Sequence, residues 1–310
     1  MSSATKTLSL IFAVLLAVSV ITGFFGGRTS SEVFTTEITT FDPSQVNRIE
    51  IRKPDDDGII LFKDGGNWMV RTETGNESYP AAGNLAGQTV DQFADLKVKS
   101  LVTRDPEKFT RFRVDTTGTE ITFMDGESEL DKIIVGSPQI LSQSEFNTYV
   151  RPAGRDEVFS VEGFLNASVN RELDGWRDKT VWNIGQNSIT EIAFDYPADS
   201  SFVISRAEEN KWMAGADSLD ESQTNRLLRQ VSSLNANGFV NNATVSGFGE
   251  ALYTLHIRTE AGSEHTLQLK PSSEDDNRYE VTASNYPYVF TVLKSTWDSS
   301  VLRSREELLP

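Results

Sequence analysis

The residue types best suited to chemistry are two histidines and several carboxylate clusters. His256 and His265 fall on opposite arms of one expected hairpin, with Glu264 beside the second. Imidazole and carboxylate ligands suit a divalent transition metal, but a site needs at least one donor beyond the two rings. Asp55, Asp56 and Asp57 precede Gly58 and invite a calcium reading. A calcium loop spaces its ligands at alternate residues and closes with a distant bidentate glutamate. Three consecutive aspartates therefore read as a solvated turn, as do Glu274, Asp275 and Asp276. Carboxylate pairs for glycoside hydrolysis exist in any chain with 45 acidic residues, and nothing raises one pair above the others. No Gly-x-Ser-x-Gly elbow, phosphate-binding glycine loop or His-Glu-x-x-His occurs. The sequence thus assigns no catalytic residue, no cofactor-binding residue and no metal ligand, and a non-enzyme is expected.

The chain has 310 residues, 38% of them hydrophobic and 24% charged, a globular balance long enough for two domains. Its formal net charge of −16 repels phosphate backbones, and no basic patch offsets that field, so no nucleic-acid partner is expected. The absence of cysteine excludes disulfides, thiolate zinc sites, cysteine nucleophiles and a lipid-modified cysteine tether.

Residues Leu8 to Phe25 read LSLIFAVLLAVSVITGFF, flanked by Lys6 and by Gly26-Gly27-Arg28. This uncharged run can span a hydrocarbon core of ~30 Å as a helix rising 1.5 Å per residue. A cleaved signal peptide would have a shorter apolar core and a small-x-small site, where Phe24 and Phe25 stand instead. The expectation is an uncleaved transmembrane signal anchor over 8–25, with a cytoplasmic tail over 1–7 and a linker over 26–37. Lys6 and the terminal amine favour a cytoplasmic N-terminus over the opposing pull of Arg28. The protein is then expected in the inner membrane, single-pass, with its C-terminal part extracytoplasmic.

The remainder repeats itself, over 38–180 and 181–310. The strand VNRIEIR (46–52) matches ITEIAFD (189–195), with Ile49 and Ile51 on Ile192 and Phe194. Each is followed by a polar turn, a second strand, and Trp68-Met69 or Trp212-Met213. Both tryptophans read as core or inter-copy packing. Ala86, Val90 and Phe93, extended by Leu96, then predict a helix face, as do Leu227, Val231 and Leu234. Ser218 followed by Glu221 suggests a capping box for the second helix.

Next, ITFMDGESELDKIIVG (121–136) lies without gaps on LHIRTEAGSEHTLQLK (255–270). Ile121, Phe123, Ile133 and Val135 fall on Leu255, Ile257, Leu267 and Leu269, which predicts two equivalent hairpins turning near Gly126 and Gly262. His256 falls on Thr122 and His265 on Asp131, so neither histidine belongs to the shared framework and both read as surface residues. A further hairpin (147–161 and 277–292) and a closing helix (Glu162 to about Leu173, Lys294 to about Leu308) complete each copy. The pattern predicts an α+β fold: a tandem duplication of a mainly antiparallel sheet-plus-helix unit, preceded by one transmembrane helix. Trp176-Arg177-Asp178-Lys179 joins the copies, and an Arg–Asp ion pair is expected to fix that junction.

These features together resemble the bacterial family DUF4340. The residues that carry the resemblance are the opening V-N-R-I-E-I strand, Trp68, the stretch LKVKSLVTRDPEKFTRF (96–112), the G-E-S-E-L-D-K-I-I-V-G hairpin, Tyr149 to Arg151, and Trp176 to Lys179. The resemblance implies a membrane-anchored extracytoplasmic protein, often encoded beside ABC-type transporter components, including gliding-motility-like export systems. It implies no catalytic residues. The expected function is that of a non-catalytic accessory or scaffold protein, its partners being the membrane through 8–25 and ABC-type transporter subunits. The alternative is an extracytoplasmic polysaccharide or cell-wall binding module, with Tyr149, Tyr279, Tyr286 or Tyr288 lining an exposed groove.

Overall fold

The computed structural model describes residues 37–207, 211–241, 243–284 and 286–310. The expected tail (1–7), anchor (8–25) and most of the linker lie outside the described residues. Among the described residues, no helix is long and apolar enough to cross a membrane.

In chain order the first half supplies β1 (Arg48–Arg52), β2 (Ile59–Asp64), β3 (Asn67–Thr72), β4 (Tyr79–Pro80), α1 (Leu85–Ala94), β5 (Val98–Thr103), β6 (Thr119–Asp125), β7 (Ser128–Ile140), β8 (Phe146–Pro152) and β9 (Val158–Glu162). The second half supplies β10 (Thr180–Asn183), β11 (Ile189–Asp195), β12 (Phe202–Arg206), β13 (Trp212–Ala214), β14 (Asp217–Ser218), α2 (Glu221–Ser232), β15 (Ser233–Asn235) and β16 (Gly238–Phe239). It ends with β17 (Tyr253–Thr259), β18 (Glu264–Pro271), β19 (Arg278–Ala283), β20 (Phe290–Leu293) and α3 (Lys294–Ser300). Two large antiparallel sheets dominate and helices are few, so the fold is α+β. Compactness divides the chain into one unit of 37–58 with 88–170, and another of 59–87 with 171–310. This division differs from the sequence repeats, which meet at 180/181.

In the first unit the strands lie in the order β1-β6-β7-β8-β9-β5. Alternation places Ile49 opposite Phe123, Ile51 opposite Ile121, and Ile121 opposite Ile133, all buried on one face. Phe123 stacks on Phe41 at 4.6 Å between ring centroids and meets Phe93 of α1 at 5.4 Å. Val90 and Phe93 are buried as their helical spacing predicts, because that stripe covers the sheet. Leu96 falls beyond the helix end and is half-buried.

In the second unit the main sheet runs β14-β13-β12-β11-β17-β18-β19-β20-β16, and β2 pairs with β3 and β3 with β4. Ile192 faces Ile257, Phe194 faces Leu255, and Leu255 faces Leu267, in one core with Leu227 and Val231 of α2. The segment β11-β17-β18-β19-β20-β16 thus repeats β1-β6-β7-β8-β9-β5 strand for strand. Equivalent residues occupy equivalent registers: Phe123 lies opposite Asp131 as Ile257 lies opposite His265. A two-stranded sheet, β10 with β15, has no such counterpart among the described residues.

Several expectations are corrected. The cap of α2 is Asp220, whose carboxylate accepts from the Gln223 amide at 2.8 Å, while Ser218 lies in β14. Only half of the expected box is present, displaced two residues because the helix begins at Glu221: the Asp220 amide donates to the Leu308 carbonyl at 2.8 Å rather than to a side chain reaching back. The closing helices are shorter than expected. Glu162 ends β9, and after Gly163 at φ +103° only the single turns Asn166–Val169 and Leu173–Trp176 form. In the second copy α3 stops at Ser300, where Ser299 and Ser300 turn their hydroxyls back onto Ser295 and Thr296 carbonyls. The edge strands β5 and β16 were not anticipated. Each pairs with the last strand of its sheet, β9 or β20.

Candidate functional site

The two histidines face opposite ways. His256 is exposed and lies opposite Thr266, its Nδ1 3.2 Å from that hydroxyl, while His265 lies opposite Ile257, one pleat along. Neighbours on a strand point to opposite faces, so the rings do not converge. His265 is half-buried and meets Trp182 edge-on at 5.8 Å. Among the described residues, no three His, Asp or Glu side chains are placed to hold a metal ion.

The acidic turns are wired internally. Asp56 pairs with Lys53 at 2.5 Å. Asp275 accepts from the Asn277 amide and pairs with Arg278 at 3.0 Å, and the Asp276 carbonyl accepts from Lys294. Among the described residues, Asp115 is the carboxylate displaced far from its ordinary range, held down to about 2 by the hydroxyls of Thr110 and Thr117 and by the Thr117 amide. It staples the loop entering β6. An acid with a depressed folded pKa contributes stability that is complete above its unfolded value, 3.8, and is lost as pH falls through about 2. Thermal unfolding measured across that window should show Asp115→Asn losing less stability on acidification than wild type; equal slopes would mean the staple contributes nothing.

The tyrosines expected to line a groove are packed into the protein. Tyr149 leans on Phe112 at 4.6 Å, and Tyr279 is buried with its hydroxyl donating to Asp298 at 2.8 Å. Burial, and then that carboxylate, push its pKa up. Tyr286 and Tyr288 are half-buried against Phe290.

Arg177 does pair with an aspartate, but with Asp174 from outside the 176–179 segment, while Asp178 accepts from the Thr180 amide at 2.9 Å. Arg177 Nη1 donates to Asp174 Oδ1 at 3.0 Å. Its guanidinium lies 3.3 Å from the Phe239 ring centroid, 3.8 Å from Tyr79 and 5.3 Å from Tyr288, and the residue is only 6% exposed. The backbone of 176–178 pairs with 80–82: Ala82 N donates to Trp176 O, and Asp178 N to Pro80 O. The hydroxyl of Tyr79 donates to Glu77 at 2.6 Å, which raises its pKa.

The second unit holds a cleft of about 810 Å³, within the ~300–1,000 Å³ usual for small-molecule sites. Buried Ile189, Leu219 and Leu228 form its apolar side. Half-buried Trp212, at the start of β13, forms one wall, and Glu221 and Asn225 from the first turns of α2 form another. Arg206 and Glu260 close it as an ion pair, and Arg206 Nη1 also donates to the Asn187 carbonyl at 2.8 Å. For Trp212 the sequence favours packing over a ligand platform. Arg206, Asn225 and Glu260 went unread, because β12, α2 and the turn after β17 bring them together from distant positions.

In the first unit the end of the β7–β8 hairpin is apolar and open. Ile140 is 74% exposed, Leu141 55% and Phe164 44%, and Phe146, opposite Ile140, lies 5.9 Å from Phe164. Measured from Val135 to Val150, this hairpin is three residues longer than its counterpart from Leu269 to Val281.

A family model described as a domain of unknown function (DUF4340) matches residues 72–251, more than half of the 310. The chain belongs to the DUF4340 family. No curated protein and no solved structure matches it. The DUF4340 span takes in the apolar tip, Arg177 with Tyr79 and Phe239, and the cleft residues Arg206, Trp212, Glu221 and Asn225, and stops short of Glu260 and Tyr288.

Proposed function

We propose that this DUF4340 chain is a non-catalytic accessory or scaffold protein of an envelope complex, an ABC-type transporter or a gliding-motility-like export assembly. Leu8–Phe25 anchors it in the inner membrane, and a tandem duplication of one sheet-plus-helix unit forms its extracytoplasmic part. The strand-for-strand repetition of order and register supports the duplication.

The observation that carries the accessory role is the apolar tip of Ile140, Leu141, Phe146 and Phe164. Exposed apolar clusters rimmed by polar groups mark contact surfaces, since leaving them in water forgoes the gain of burial. Ser142, Ser144 and Glu145 supply that rim. The first copy extends this hairpin and the second does not, so the duplicated core has no need of it. The partner is a subunit of the transporter itself, met beside the membrane.

The test is purification of the full-length chain in mild detergent, with mass spectrometry of what accompanies it. Transporter subunits should be recovered with wild type and lost with Ile140→Ser/Phe164→Ser, whose melting temperature stays near that of wild type. Recovery of no transporter subunit across several detergents, or undiminished recovery with the double variant, would overturn the reading.

A further inference from the structure

We propose that the cleft beside Trp212 is a binding site for a neutral, hydroxyl-rich ring ligand, an oligosaccharide. The proposal stands whether or not the chain docks on a transporter.

The argument begins with two equivalent hairpins. In β2–β3, Lys63 lies opposite Trp68, and its ammonium sits 5.1 Å from the indole centroid. In β12–β13, Arg206 lies opposite Trp212 at the same register. There the guanidinium is held instead by the Asn187 carbonyl and the Glu260 carboxylate. The second indole walls an open cleft at the position where the first carries a cation. A flat aromatic wall flanked by hydrogen-bonding groups suits the C–H face of a sugar ring.

The charges of the cleft select against ions. Arg206 and Lys211 balance Glu221 and Glu260, so the lining has no formal net charge, and it belongs to a chain of −16. An anionic ligand such as a nucleotide meets two carboxylates and a repulsive overall field. The remaining polar groups include the amides of Gln186, Asn187 and Asn225. Each amide side chain offers a donor and an acceptor, matching hydroxyls that both donate and accept. A volume of about 810 Å³ leaves room for more than one ring.

The test is a titration of the full-length chain, in a sugar-free detergent, with cellohexaose, maltohexaose and chitohexaose, followed by tryptophan emission and by calorimetry. At least one of the three should bind saturably, with little dependence on salt. Trp212→Ala should weaken that binding about tenfold or more, the loss typical of an aromatic anchor. Asn225→Ala should weaken it severalfold, and Trp68→Ala should leave it unchanged. Melting temperatures establish that each variant is folded; if Trp212→Ala is not, Trp212→Phe and Asn225→Ala carry the test. Binding of none of the three sugars, binding indifferent to these cleft variants, or a preference for a heparin hexasaccharide or ATP with steep salt dependence would overturn the proposal.

Discussion

Replacing Arg177 with alanine is expected to cost about 3 kcal/mol of stability in urea denaturation, from a cation–π contribution of roughly 2 in a desolvated setting plus lost packing and ion pairing. The guanidinium is sandwiched between Phe239 and Tyr79, with Tyr288 at its side, and alanine leaves that slot empty. Lysine should restore less than half of the loss, because its ammonium is a compact charge without a planar face to stack. Methionine should come closer to wild type. Arg177 Nε is buried without a hydrogen-bond partner, so an apolar chain of similar length gives up little there. A loss below about 1 kcal/mol for alanine would mean that the rings support one another without the cation. Lysine matching wild type would remove the stacking argument.

Phe123→Ala is expected to be at least as damaging, at about 3–5 kcal/mol. Its ring is fully buried between Phe41 and Phe93, and it pairs across the sheet with Ile49. Removing it takes a partner from both aromatic neighbours at once, and the strand register prevents the gap from closing. Phe123→Leu, which keeps most of the volume, should cost roughly 1–1.5 kcal/mol. Ile257, the equivalent residue in the second unit, should lose about 2–5 kcal/mol on truncation to alanine. Comparable urea midpoints for wild type and Phe123→Ala would show that the α1 face holds the sheet without this ring.

The central strands were legible because two signals coincided: alternation with a period of two, and the same alternation repeated in a second copy. Ile121, Phe123, Ile133 and Val135 are buried, as are Leu255, Ile257, Leu267 and Leu269. The edge strands were not legible. Gly238–Phe239 is too short to show a period, and Val98–Thr103 carries two register shifts that break it. The closing helices were overread because apolar spacing alone does not register a glycine at positive φ.

Exposure of the tyrosines depended on partners that residue type does not announce, such as Asp298 for Tyr279. The cleft was hidden for a related reason. Its residues come from separate elements, and Trp212 shares a register with Trp68 while differing in where the facing cation goes. That Arg177 pairs with an aspartate was legible, but not that the partner is Asp174, and the three rings around Arg177 converge from β4, β16 and the loop before β20.

The short edge strands have one further consequence. β4, β14 and β16 are two residues each, and β5, the longest at six, is irregular in register and carries Lys99, which is paired with Glu162. A two-residue edge offers too few free amides and carbonyls to template an incoming strand, and a charged, bulged edge discourages one. These edges are therefore poor sites for β-augmentation by a peptide and for edge-to-edge aggregation. The protein should therefore tolerate crowding at high concentration without forming cross-β assemblies.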